Sequence, residues 1–175
     1  SVSQLCKPVA DFLSSGKKLV LIECENRHEA VVGYLSVLQA DNAALLVNAS
    51  LSDELKAEII TSYRPHYVWK LIGDETRSPI KQVGAYGLFS LNEDVETVLH
   101  PSLSLLLSTS GSTGSPKFVR LTKVNVTSNA ESIAEYLELD INDKPITTLP
   151  MAYSYGLSII NSHLHVGAAI LLTED

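Results

Sequence analysis

The sequence lacks most features that would place it in a specialised class. Its 175 residues hold two cysteines, one methionine and one tryptophan. Cys6 and Cys24 make neither a disulfide framework nor a metal-site spacing, so free thiols in a reducing compartment are expected. No apolar run approaches the roughly 18 residues needed to cross a bilayer. The uninterrupted runs, Leu19–Ile22 and Ala168–Leu172, are the length of buried strands. Positive charge is scarce: 13 Lys and Arg stand against 20 Asp and Glu, a formal net charge of −7. That balance argues against general nucleic-acid binding, which needs a clustered positive field. It leaves room for a nucleotide pocket, where a few local donors suffice. No basic segment followed by an apolar one marks the N-terminus, so a cytoplasmic location is expected and the sequons Asn48-Ala-Ser50 and Asn125-Val-Thr127 read as chance matches. There are no repeats and no low-complexity linker.

What is present is a globular pattern, 45% hydrophobic. Lys18–Glu23 is a strand candidate. Asn26–Gln39 reads as a helix, capped by Asn26 with Glu29 three residues on, and Val31, Tyr34, Leu35 and Leu38 recur on one face. Ala44–Val47 is a short buried strand. Ser50 or Ser52 can cap a second helix carrying Asp53 and Glu54 in its first turn, with Leu51, Leu55 and Ile59 along one side. Tyr67–Trp69 is the next strand. Gly73, Pro79, Gly84 and Gly87 break up residues 72–100 into loops and short strands. Leu103–Ser108 and Phe118–Leu121 are strands on either side of a Gly/Ser/Pro loop. Val126–Leu139 is an amphipathic helix with Ala130, Ile133, Ala134 and Leu137 together, Ile146–Leu149 a strand ended by Pro150, Leu157–His165 a helix and Ala168–Leu172 a last strand. Alternation of strands and helices predicts an α/β fold: a mostly parallel sheet with helices on both faces.

The informative stretch is Ser108-Thr-Ser-Gly-Ser-Thr-Gly-Ser-Pro-Lys117. Ser108, Thr109, Ser110, Ser112, Thr113 and Ser115 offer six hydroxyls within eight positions, and Lys117 adds a cation. Gly111 and Gly114 let the backbone come close to a ligand. Backbone N–H groups converging in a concavity, with hydroxyls and a cation, are what a phosphate needs. A flexible surface linker is the bland alternative, but linkers rarely sit between two strong strands or finish in Pro-Lys. The G-x-x-x-x-G-K-[ST] loop of common NTPases is excluded: counted from Gly111, its second glycine falls on Pro116 and its Ser/Thr on Phe118. The G-x-G-x-x-G dinucleotide fingerprint is absent from this loop as well.

Leu106-Leu-Ser-Thr-Ser-Gly-Ser-Thr-Gly-Ser-Pro-Lys117 closely resembles the signature of the AMP-binding, adenylate-forming superfamily, which includes acyl-CoA synthetases and adenylation domains. Thr122 and Asn125 keep the motif that follows, with Lys123 where His is usual. Leu149-Pro-Met-Ala-Tyr-Ser-Tyr-Gly-Leu157 resembles a second motif, with Tyr153 where His often stands and Ala152 in place of an aromatic. The resemblance covers roughly residues 18–172. It implies ATP-dependent activation of a small carboxylate as an acyl-adenylate, with Mg2+, followed by transfer to the thiol of CoA or of a phosphopantetheine acyl carrier protein. It also implies phosphate contacts from Thr109, Ser110, Gly111, Ser112, Thr113, Gly114 and Lys117, and a carboxylate pocket lined by Tyr153, Ser154, Tyr155 and Gly156.

The family's later segments, an aromatic-Gly-x-Thr-Glu, a Thr-Gly-Asp and a catalytic Lys in a C-terminal domain, do not occur; Gly73-Asp-Glu-Thr76 precedes the loop and is in the wrong order. The 175 residues are therefore expected to be an N-terminal portion of a ligase, inactive alone, whose exposed apolar faces could support a weak homodimer. A non-catalytic phosphate- or nucleotide-binding module, or an unrelated protein with a convergent loop, is the alternative. His163-Leu-His165 lacks a third metal ligand, and Trp69, Tyr63 and Tyr67 read as packing residues.

Overall fold

The computed structural model describes residues 2–73, 77–91, 98–108 and 117–173. Apolar runs too short for helices form the centre of the fold. β1 (Leu19–Cys24), β2 (Ala43–Asn48), β3 (Tyr67–Leu71) and β6 (Leu103–Ser108) run parallel, in the spatial order β3-β1-β2-β6. Antiparallel strands flank them: β4 (Lys81–Val83) and β5 (Tyr86–Ser90) beside β3, and β7 (Phe118–Thr122) beside β6. The expected α/β sheet is present, with a parallel centre and antiparallel margins.

Period-2 alternation sends neighbouring strand residues to opposite faces, and both faces are buried. Val20, Ile22, Ala44, Leu46, Leu105 and Leu107 meet α1 (Val2–Leu13), α2 (His28–Gln39) and the segment around α5 (Ser154–His165). Leu19, Leu21, Leu45, Val68 and Leu106 meet α3 (Asp53–Tyr63). Gly33 on α2 is where helix and sheet come closest: a Cβ there would lie 2.3 Å from the Trp69 indole. The indole Nε1–H donates to the Glu29 carbonyl at 2.9 Å, so the fully buried Trp69 is both packed and satisfied. Tyr63 stacks edge-on against Phe118, and Tyr67 against Phe12, as packing residues should.

Three local expectations need correction. Asn26 does not cap α2; the helix begins at His28, after an extended Arg27 with no side-chain cap. Tertiary contacts win the competition, because the Asn26 amide reaches the Thr147 carbonyl and Glu29 turns inward to the Ala85 N–H. The fourth helix, α4 (Lys123–Tyr136), starts three residues earlier than the periodicity predicts, because Thr122 and Asn125 form a reciprocal capping box, and Leu137 becomes its C-cap. The last two strands shrink to β8 (Ile146–Thr147) and β9 (Leu171–Leu172), a separate parallel pair joined by α5. Ser52, by contrast, caps α3 as expected, accepting from the Leu55 N–H.

Candidate functional site

The four parallel strands end at Cys24, Asn48, Leu71 and Ser108, so their carboxyl ends share one edge of the sheet. Open α/β sheets bind ligands outside this edge. A cleft of about 560 Å³ lies there. One wall is Cys24–Arg27 from the β1–α2 connection and Asn48–Ser50 from the β2–α3 connection, with Leu71 at the end of β3. The other wall is Thr148 and Pro150, from the segment between β8 and α5.

The strand β6 ends at the same edge with Ser108, where the Ser/Thr/Gly-rich sequence begins. Leu46 pairs with Leu107, which sets Ser108 level with Val47, one residue before Asn48 of the cleft. Ser108 then pairs with Phe118 across an antiparallel hairpin. The loop is thus the connection of the β6–β7 hairpin, tied at its base by that pair. Thr109, Ser110, Gly111, Ser112, Thr113 and Gly114 lie outside the described residues. Lys117 is described and exposed, directly before β7.

The polar residues of the cleft hold one another in place. The Arg27 guanidinium Nε is 3.1 Å from Glu25 Oε2, each side chain about a third exposed (35% and 34%). Asn48 Oδ1 accepts from the Ser50 N–H at 2.9 Å and from its hydroxyl at 2.8 Å, a turn that shapes the exit from β2. Behind the cleft Lys56 pairs with Glu23 at 2.8 Å, and the Tyr86 hydroxyl donates to the Glu23 carbonyl at 3.1 Å. Burial pushes the Cys24 thiol far above the usual range, against a weaker opposing hydrogen bond with the Val47 backbone, and its S–H donates to the Ile22 carbonyl at 3.4 Å. A neutral, buried thiol of this kind is not a nucleophile.

Of the residues expected to form a carboxylate pocket, Tyr153 is the extended N-cap of α5 and 49% exposed, and Tyr155 is 67% exposed. The Ser154 carbonyl accepts from the Ser158 hydroxyl at 2.8 Å. Gly156 is buried, and a Cβ there would meet the Leu149 and Pro150 carbonyl oxygens at 2.6 Å. From this segment it is Thr148 and Pro150 that line the cleft. Sequence reading missed Glu25, Asn26, Arg27, Asn48 and Ser50 as cleft residues. Their signal was available: each lies at the end of a buried strand of a parallel sheet or within three residues after it.

His163 and His165 do not converge; the His163 Nδ1–H donates to the Ile159 carbonyl at 2.8 Å, and His165 is exposed. Among the described residues no three His, Cys, Asp or Glu side chains are grouped to hold a metal ion. No described helix is long and apolar enough to cross a membrane.

Known proteins share the family and the fold. The family model described as "AMP-binding enzyme" matches residues 2–175. The oxalate–CoA ligase of Arabidopsis thaliana is 28% identical over 177 residues, covering 88% of this chain and 34% of the ligase. Crystal structures share the fold at lower identity. MenE, the O-succinylbenzoate coenzyme A synthetase of Bacillus subtilis solved with AMP, superposes with a TM-score of 0.73 at 21% identity, over 99% of this chain and 48% of that one. ATP-bound MatB of Rhodopseudomonas palustris gives 0.76 at 20% identity, over 99% and 39%. The chain therefore spans about a third of the length of the curated ligase that it matches.

Proposed function

The chain belongs to the AMP-binding enzyme family, and from that premise we propose that it forms the phosphate-gripping part of an AMP-forming carboxylate–thiol ligase. In that reaction a carboxylate oxygen attacks the α-phosphorus of ATP, and the bond to pyrophosphate breaks. A thiol sulfur then attacks the acyl carbon and AMP leaves.

The observation that carries the reading is positional. The Ser108–Lys117 sequence connects two hairpin strands at the sheet edge where the cleft opens. Donors fixed there would hold the β- and γ-phosphates and stabilise the charge developing on departing pyrophosphate. Thr109, Ser110, Gly111, Ser112, Thr113 and Gly114 would supply those donors, and Lys117 the cation. Tyr153–Gly156, which follow the Thr148–Pro150 wall in sequence, would border the carboxylate. The buried, neutral Cys24 supports an acyl group carried on phosphate rather than on an enzyme thiol. Magnesium would arrive with ATP and offset phosphate charge. The nucleotide-bound relatives support ATP as substrate, and the name of the Arabidopsis relative favours CoA over a carrier protein as acceptor.

The test is pyrophosphate exchange by the full-length protein across a panel of small carboxylates. Labelled pyrophosphate should enter ATP only when an accepted carboxylate is present, and residues 1–175 alone should catalyse no exchange. A full-length protein that binds ATP but exchanges with no carboxylate would instead be a nucleotide-binding module.

A further inference from the structure

Asn26 has the form of a cap residue, yet its side chain does not cap. It lies in the connection between β1 and α2 and lines the cleft. Its amide Nδ2 donates across 121 positions of sequence to the Thr147 carbonyl, at 3.5 Å. That same carbonyl also accepts from the Thr173 hydroxyl at 3.0 Å. Thr147 itself is wholly buried, and it closes β8, a strand of two residues. The next residue, Thr148, is already a wall of the cleft. Two residues further, the Leu149 and Pro150 carbonyls press on Gly156 so closely that no Cβ fits between.

We propose that Asn26 is a positioning residue. It ties the Thr148–Pro150 wall to the carboxyl end of β1, and so sets the width of the cleft in which the carboxylate must face the phosphates. The role rests on the ligase reading above. A two-residue strand has too little ladder to fix a wall by itself, and misplacing reacting groups by about 1 Å can cost on the order of a hundredfold in rate. Asn26 supplies the missing restraint from the rigid sheet, at the expense of a helix cap.

The experiment compares Asn26→Asp, isosteric but without the donor, Asn26→Ala, and Asn26→Gln, which keeps an amide, in the full-length protein. Loss of one neutral hydrogen bond should raise the carboxylate KM in pyrophosphate exchange roughly fivefold for Asp and Ala. The ATP KM should stay within about twofold, and Gln should recover part of the loss. Amide hydrogen exchange over residues 148–153 should quicken in Asp and Ala, while residues 19–24 stay protected. Unchanged carboxylate KM and unchanged exchange over 148–153 in Asn26→Asp would overturn the role. So would equal rises in both KM values, the mark of a merely structural defect. An inactive wild type would count against the ligase reading itself, and the hydrogen-exchange arm would still decide whether Asn26 holds the wall.

Discussion

In the seven-stranded sheet, Val20, Leu21 and Ile22 are wholly buried; in the two-stranded sheet, Ile146 and Leu171 are 54% and 55% exposed. The first sheet has helices on both faces and a core of its own. The second has two residues per strand, and its connecting residues Met151, Ala152, Leu157 and Ile160 are buried only by joining the core of the first. The cleft lies between them, with one wall on the stiff sheet and one on the thin one. Under the proposed function, the wall on the larger sheet would set where phosphates are held. Under the same reading, the wall on the two-stranded sheet is where substrate fit would vary.

That contrast breaks most sharply at Gly33. Replacing it with alanine would force a methyl against the buried Trp69, so the indole that donates to the Glu29 carbonyl, or the helix, must shift. Gly33→Ala should cost about 1–3 kcal/mol or more by urea denaturation. Unchanged stability would mean that the sheet is less tightly packed than described.

Alkaline pH should act on the same region. Burial raises the Cys24 thiol from 9.0 and the Tyr34 phenol from 10.0, the latter to about 12. Burial raises the Tyr86 phenol as well, with the Glu25 carboxylate adding to it. A raised folded-state value for a group that is neutral when protonated stabilises fully below the unfolded value and is lost as pH rises beyond it. Stability should thus be flat below about pH 9 and fall above it, by up to about 1.4 kcal/mol per pH unit for each group. Tyr86→Phe should make the fall shallower in pH-dependent thermal unfolding. The smallest effect belongs to the thin sheet: Ile146→Thr, at an exposed position, should change stability by no more than about 0.5 kcal/mol.

The central strands were legible because fully buried parallel strands read as continuous apolar runs, and Leu103–Ser108 has those bounds in the structure. The hydroxyls and glycines between Leu103–Ser108 and Phe118–Thr122 marked a candidate loop, whose residues 109–116 lie outside the described residues. The first helix was not read, although Cys6, Val9, Ala10 and Leu13 are buried at one helical face, because Pro8 inside it mimics a break. Asn26 misled for a related reason. A cap is a local preference of about 1 kcal/mol, and a long-range contact of equal size can override it. Local patterns cannot report the partner at Thr147, because nothing in residues 26–39 encodes it. The start of α4 was within reach, since Thr122 and Asn125 carry the spacing of a capping box.

The most direct test of the account is the rate of pyrophosphate exchange by the full-length protein carrying Lys117→Ala. Lys117 is exposed at the end of the loop, so its loss should leave the scaffold folded. If the loop grips departing pyrophosphate, exchange should fall by about a hundredfold or more at saturating ATP and carboxylate, with the thermal midpoint held. A rate close to wild type would contradict the assignment of the loop.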